Sequence, residues 1–522
     1  MKLRSLLFNG LFLVLLLSCA NKNNEVTGHS QSSRPNILLI PIDDLRPELG
    51  AYGNTVIKTP NIDQLAANGV TFMRAYTQQA LCNPSRASLL TGLRPDTIEV
   101  WDLQASFRKN LPEAVTLPQF FKAQGYTTIG LGKTFHNDIP DTISWTRKPH
   151  PEGFPFDPDA FYANESNRAI QEQVIQRLKD QGRSRIDQLG YWYVKAEATE
   201  IGEGDDDVYF DGAQTTAAIE ILQELATQSE PFFLSVGYYR PHLPFNAPKK
   251  YWDLYDPMEI PLAANQFLPE ASPEYAVHGD AEMRSYVDQG DLPWPKDKPA
   301  DEARQRHLKH GYYASVSYVD AQIGRLIKEL KRLGLDKNTI IVLWGDHGWK
   351  LGEHNSWGKM SNFEIDTHVP LIFSGAGLPN KGVKAAGLTE FLDIYPTLVD
   401  MAGFEIPDYL QGKSLEPIFK NPNQQYKDAA FSQYLLGRFG PPETRKKERM
   451  GYSVRTDRYR YTEWYAWDDS SNRAGELLDR ELYDHTIDTQ ENKNIASDQN
   501  STLPMTELSA RLKENFSTLA AH

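Results

Sequence analysis

The sequence predicts an α/β fold: a large, mostly parallel sheet flanked by helices, plus a small antiparallel-sheet subdomain at the C-terminus. Three observations carry this. "NILLIPIDD" (36–44), "PFFLSVGYYRPHLPF" (231–245) and "TIIVLWGDHG" (339–348) are short apolar runs that end in charged or imidazole side chains. Continuous apolar character fits a strand covered on both faces, the usual condition of a parallel sheet. Helical patterns at 61–69, 117–125, 214–227 and 312–334 lie between and around these runs, and such alternation puts helices on both faces of the sheet. From about residue 426 the pattern changes to the alternating stretches "AFSQY", "GYSVRTDRYRYTEWY" and "RELYDHT", followed by an amphipathic helix from about 504. A small antiparallel sheet with a terminal helix accounts for it.

Taken in order, the chain opens with "MKLRSLLFNGLFLVLLLSCANKNNE". A basic start (Lys2, Arg4), a short apolar run and Ser18-Cys19 form an export signal. The run is shorter than the ~20 residues a membrane-spanning helix needs. Leu16-Leu17-Ser18-Cys19 resembles the bacterial lipobox, whose cysteine becomes the lipidated first residue. The expectation is a signal peptide over 1–18, a polar tether over 19–33 and a lipid anchor at Cys19 in the periplasm or outer membrane. A simple cleaved signal with an incidental cysteine is the alternative. The main domain is expected over 34–425, and the C-terminal subdomain over 426–522. Residues 140–210 and 250–305, rich in Pro, Asp and Gly, read as long loops over the active-site face.

The 522-residue chain carries 55 basic and 69 acidic residues, a net charge of −14. This argues against a nucleic-acid partner held by bulk charge, but a local cationic cluster can still dominate a pocket for a small anion. There are 2 cysteines. If Cys19 carries lipid, Cys82 stands alone in an exported protein, which is unusual because oxidising compartments exploit pairs.

Four clusters hold the candidate chemistry. Asp43-Asp44 end the first strand. Cys82-Asn83-Pro84-Ser85-Arg86 open a helix that Gly92 caps. Lys133 and His136 sit in "GLGKTFH". Asp346, His347, Glu353, His354 and Lys359 lie in "WGDHGWKLGEHNSWGKM". Singly, paired aspartates at a strand end read as a cap or turn, and proline after cysteine as a helix start. Together they combine oxygen ligands suited to hard cations, a helix N-terminus that attracts anions and an arginine fork that fits a tetrahedral oxyanion.

"CNPSRASLLTG" resembles the C-x-P-S-R-x-x-x-L-T-G signature of the sulfatase family, in the alkaline phosphatase superfamily. "IDDLRPELGAYG", "TPNIDQLA", "RPDT", "GKTFH", "GYYRPHLPF", "YYASVSYVD", "DHGWKLGEH", "SNFEIDTHVPLIF" and "GYSVRTDRYRYTEW" follow in order and are similar to its iduronate-2-sulfatase branch. The resemblance implies that a formylglycine-generating enzyme converts Cys82 to an aldehyde, whose hydrate presents two hydroxyls. One takes the sulfuryl group, and the other then expels sulfate, where a serine would stay esterified. It implies a divalent metal, Ca2+ with Mg2+ as the alternative, on Asp43, Asp44, Asp346, His347 and modified Cys82. It gives Arg86 the neutralising role and puts Lys133 and His136 on the hydrate, with His136 a candidate base. His242 and Lys359 fall near the leaving oxygen, with His242 the general acid. Glu353 and His354 read as supporting groups, and His310 and His368 as helix or core residues. Tyr239 and Arg240 depart from the branch's pattern where the sugar approaches.

The implied activity is hydrolysis of O-sulfate from a uronic-acid-containing glycan, a 2-O-sulfated iduronate or related hexuronate from glycosaminoglycan or algal ulvan. A phosphonate or phosphate-ester hydrolase of the same superfamily and a non-catalytic glycan-binding lipoprotein are the competing readings.

Overall fold

The computed structural model describes residues 34–137, 139–147, 161–182, 194–277, 279–438, 446–516 and 519. The expected signal peptide, tether and Cys19 anchor lie outside the described residues. No helix among the described residues is long and apolar enough to cross a membrane.

A seven-stranded sheet forms the centre, in the order β3-β5-β1-β7-β8-β2-β9. Its strands are β1 (Asn36–Ile42), β2 (Gly69–Tyr76), β3 (Thr127–Gly132), β5 (Phe232–Gly237), β7 (Thr339–Gly345), β8 (His368–Gly375) and β9 (Val383–Glu390). β8 runs antiparallel to both β7 and β2. The other pairings are parallel. Reversal at β8 alone leaves six strands pointing one way, so β1, β2, β3, β5 and β7 deliver their carboxyl ends to one edge. The three runs read as strands are β1, β5 and β7.

Strand periodicity divides the core. Leu38, Ile40 and Ile42 enter one apolar cluster, and Ile37 and Leu39 enter the other. The first is covered by α1 (Pro60–Ala67), α5 (Phe210–Leu225) and α6 (Glu302–Arg332). The second is covered by α2 (Cys82–Thr91), α3 (Leu117–Ala123) and α7 (Ile394–Met401). α6 starts ten residues before the predicted 312. Asp301 caps it by accepting from Arg304 N at 2.9 Å, and its polar first turns conceal the period. Gly311 lets the helix approach β6 (Phe245–Pro248): a Cβ there would lie 2.9 Å from the Trp252 ring and 3.0 Å from Phe245 Cβ.

Residues 140–210 are not all loop. They contain α4 (Glu165–Asp180) and β4 (Thr199–Gly202), which pairs with β6. α4 buries Asn167 and Gln171 beside Val174 and Leu178, so its inward stripe is half polar and gave little apolar period. Between 250 and 301 the backbone is loop with a short helical turn, Lys249–Trp252, and 3-10 turns at Pro257–Glu259, Glu274–Ala276 and Met283–Ser285.

A separate antiparallel sheet runs β10 (Ala430–Arg438), β11 (Lys446–Arg455), β12 (Tyr459–Asp468) and β13 (Arg473–Asp484). The helix α8 (Thr502–Asn515) packs Leu508 and Leu512 with Tyr452, Val454 and Tyr461 of this sheet. Arg460 of β12 bonds Glu364 Oε2 at 2.6 Å and Glu491 Oε1 at 2.7 Å, tying the small sheet to the segment before β8.

Candidate active site

All ten sequence-predicted site residues are buried at the strand-end edge. β1 delivers Asp43 and Asp44, and β7 delivers Asp346 and His347. Lys133 and His136 follow β3, and His242 lies in the loop after β5. β2 leads through 77–81 into α2, whose first residue is Cys82. Neighbouring loops are stitched by backbone bonds, Asp43 N to Tyr238 O at 3.1 Å and Asp346 N to Ile42 O at 3.1 Å. Asp44 adopts a left-handed conformation (φ 58°), which aspartate tolerates better than most residues. Leu81, before the helix, has no side-chain acceptor to cap it, and Gly92 closes it at φ 70°. Pro84 has no N–H and Ser85 N donates to Leu81 O at 3.0 Å, so the N–H groups of Cys82 and Asn83 are the ones left at this end, where a helix favours negative charge.

Arg86 holds the two strand ends together. Its Nε donates to Asp346 Oδ2 at 2.8 Å, its Nη2 to Asp43 Oδ1 at 3.2 Å, and its Nη1 to the Lys133 carbonyl. Lys133 Nζ pairs with Asp43 Oδ2. Lys359 Nζ lies 2.7 Å from Asp44 Oδ1 and 3.4 Å from Cys82 Sγ. His347 Nε2 is 3.2 Å from Cys82 Sγ. Its Nδ1 faces the Gly348 carbonyl at 3.1 Å. A carbonyl can only accept, so Nδ1 carries the proton and Nε2 keeps a lone pair toward Cys82. By the same argument His242 Nδ1 donates to Leu243 O at 2.8 Å, and its Nε2 faces the site.

The titration pattern fits a crowded ionic pocket. Burial pushes the Cys82 thiol up to about 12, with Asp43 adding to the rise against Lys133 and Lys359. An unmodified thiol here is therefore protonated, unlike the depressed thiols of cysteine nucleophiles. Burial alone would raise Asp43, but Lys133, His242 and Arg86 hold it well below the usual carboxylate range. Burial pushes Asp44 well above that range. Burial, with Lys133, keeps His136 neutral. Burial, with Lys359, lowers His242.

The donor set suits a hard divalent cation. Asp43, Cys82, Asp346 and His347 offer ligand atoms within 4.8 Å of one another. Asp44 Oδ2 is buried without a hydrogen-bond partner, a costly state unless something fills its lone pairs. Three carboxylates and one imidazole lone pair match oxygen-preferring Ca2+ or Mg2+ better than a soft metal. A further grouping, Glu364, His485 and Glu491, is already filled by Arg455 and Arg460. Ion pairing explains it.

Glu282 is the site residue that sequence reasoning missed. It arrives from the 250–305 loop region, buried, with Oε1 3.1 Å from His242 Nε2 and Oε2 3.5 Å from Lys359 Nζ. No motif marks it, and only spatial proximity reveals it. Glu353 lies apart from the cluster, bonded to Arg46 Nη2 at 2.8 Å. His354 meets Phe267 O at 3.3 Å, His310 meets Trp252 O at 2.8 Å and His368 meets Met73 O at 2.8 Å. Asp211 accepts from Tyr239 N and Arg240 N at 2.9 and 2.8 Å, fixing the loop that presents His242.

Comparison with known proteins agrees with this geometry. The sulfatase family profile matches residues 35–404, and the profile of the N-sulphoglucosamine sulphohydrolase C-terminal region matches 352–521. Iduronate 2-sulfatase of Homo sapiens is 34% identical over 95% of this chain and 96% of its own. An ulvan-active sulfatase of Formosa agariphila is 30% identical over 78% of this chain and 70% of its own. The solved phosphonate monoester hydrolase of Agrobacterium radiobacter superposes with a TM-score of 0.68 at 23% identity, covering 94% of this chain and 96% of that one. At that identity the likeness concerns the fold.

Proposed function

The chain belongs to the sulfatase family, and on that premise we propose that it is an exported enzyme removing O-sulfate from a uronic-acid-containing glycan. Its substrate sugar is a 2-O-sulfated iduronate or related hexuronate, from glycosaminoglycan or algal oligosaccharide. The near full-length similarity to an iduronate 2-sulfatase supports the sugar. The ulvan-active relative supports an algal source equally well. Export rests on the N-terminal sequence, with Cys19 as lipid anchor.

The observation that carries the reading is the convergence on Cys82, with the His347 imidazole at 3.2 Å and the Lys359 ammonium at 3.4 Å. Behind these stand the carboxylates and Arg86. Four buried carboxylates (Asp43, Asp44, Glu282, Asp346) face three fixed cations (Arg86, Lys133, Lys359). With Asp44 ionised, a divalent cation would turn that excess of one negative charge into a positive pocket, which suits a sulfate ester.

Asp43, Asp44, Asp346 and His347 Nε2 would hold the cation, Ca2+ or Mg2+, which when bound polarises sulfate oxygens. Formylglycine at position 82 supplies the paired hydroxyls for transfer and release. Arg86 keeps α2 against the strand ends and neutralises charge. Lys133 brings a cation to the same side. His136, held neutral, can accept the proton released when sulfate leaves. His242, when protonated, can give the Nε2 proton to the leaving oxygen, because Nδ1 is committed to Leu243, and Glu282 at 3.1 Å opposes the burial and Lys359 charge that disfavour the charged ring. Such proton transfer contributes about 10²–10⁴ in rate.

The test is sulfate release from a panel of defined sulfated oligosaccharides, an aryl sulfate and an aryl phosphate diester, with mass spectrometry across residues 81–94. The expected result is a formylglycine peptide and highest turnover on 2-O-sulfated hexuronate. Faster turnover of the phosphodiester would favour the phosphohydrolase reading. An unmodified cysteine in protein from its native host would favour a glycan-binding lipoprotein.

A further inference from the structure

Beside the catalytic pocket the 250–305 loops build a second concavity of about 420 Å³, with Trp294, Tyr275, Lys296 and Arg449 in its lining. Trp294 is 47% exposed, whereas every other described tryptophan is buried. Its indole is held in place: the Arg284 guanidinium stacks over the ring at 4.0 Å, and a Cβ on Gly279 would fall 2.8 Å from it. Arg284 is anchored in turn to the Leu292 carbonyl. Across the groove Arg449 sits 4.7 Å over the Tyr275 ring, and Tyr275 donates to Asp479. Acidic groups stand among these cations, Asp479 behind Tyr275 and Asp280 near Arg284. Glu274 pairs with Lys296 at 3.2 Å in a mostly exposed contact, and Glu448 reaches Arg449 only at 3.5 Å. A preplaced, half-exposed indole is costly to leave in water, and with guanidinium and ammonium groups it matches the apolar face and anionic substituents of a charged sugar.

The groove and the site share one segment. Asp280 accepts from Ser356 Oγ at 2.5 Å in the loop carrying Lys359, and Glu282 reaches His242 at 3.1 Å. Gly279 is three residues from Glu282, at most about 11 Å of extended chain. A short oligosaccharide spans that distance.

We infer that this groove is a subsite for a neighbouring sugar of the sulfated glycan, with the sugar face against Trp294 and its sulfate or carboxylate against Arg449. It deepens the sulfated-glycan reading and rests on it. The site then selects oligosaccharides over isolated sulfated units, and the selection resides in the Trp294 loop and Arg449 of β11, outside the cysteine signature.

Two measurements test it. The first is kcat/KM for a 2-O-sulfated hexuronate tetrasaccharide relative to an aryl sulfate, in wild type, Trp294→Ala, Trp294→Phe and Arg449→Ala. Trp294→Ala should lower that ratio about tenfold, mainly through KM, since central aromatic truncations commonly cost a decade of affinity. Trp294→Phe should recover most of it. The second is calorimetric titration of the same tetrasaccharide into Cys82→Ala and into Cys82→Ala/Trp294→Ala, each with its melting temperature checked. About tenfold weaker binding in the double variant supports the subsite. An unchanged ratio in both Trp294→Ala and Arg449→Ala, or equal affinities in the titration, overturns it. If no sulfate ester is turned over, the proposed activity fails, and the titration still decides the groove by itself.

Discussion

Arg86 and Asp346 form a fully buried ion pair, Nε to Oδ2 at 2.8 Å, that joins the helix bearing Cys82 to the strand end bearing His347. Removing one partner of such a pair strands the other charge and costs about 3–5 kcal/mol. Arg86→Ala should therefore lose that much stability in urea denaturation as well as all turnover. Arg86→Lys keeps the charge but not the fork, and should recover part of the stability.

Cys82→Ala separates chemistry from fold. The side chain is buried beside Leu81, Leu103, Met360 and Tyr434, and truncating so small a group should cost only about 1 kcal/mol. Sulfate release should vanish while the circular dichroism and melting profile stay close to wild type. Near-normal release would contradict the assigned nucleophile.

Chelation should act on stability as well as rate. If the cation binds only the folded chain, at a hundredfold excess over its Kd it adds about 2.7 kcal/mol. Treatment with a chelator should lower both the melting temperature and turnover, and Ca2+ should restore both. In Asp43→Asn the melting temperature should no longer respond to added Ca2+.

Acid should unfold the protein in part through Glu353. Burial opposes its ionisation, but the Arg46 charge, 2.8 Å away, and Lys309 bring it down to about 2. The unfolded value is near 4.3. A folded-state pKa below the unfolded one gives stability that is present above about pH 4.3 and lost as pH falls toward 2. Each unit is about 1.4 kcal/mol, so the loss is of the order of 3 kcal/mol. Glu353→Gln should lower stability at neutral pH and flatten its dependence on pH in that window.

The central strands β1, β5 and β7 were legible because each is apolar throughout and ends in polar groups. β2, β3 and β9 are harder to read, since Thr71, Arg74, Thr127 and Lys384 interrupt their patterns, while the apolar run of β8 (Val369–Phe373) is short and holds a proline. α4 escaped because it buries Asn167 and Gln171 in place of an apolar stripe. In the site, residues within contiguous signatures could be named. Glu282 could not, because its contact with His242 bridges forty positions and depends on how an irregular loop folds back. The Trp294 groove was invisible for the same reason.

Cys82 and His347 are 265 positions apart, yet in the folded chain they touch, and the thiol is sealed from solvent. At about 5–20 residues per second of synthesis, the cysteine emerges tens of seconds before β7 exists to cover it. If residue 82 becomes the proposed aldehyde, its conversion is a matter of timing. On the proposed reading, a modifying enzyme would have to reach residue 82 in that interval, or on a chain still unfolded, because the completed molecule buries it.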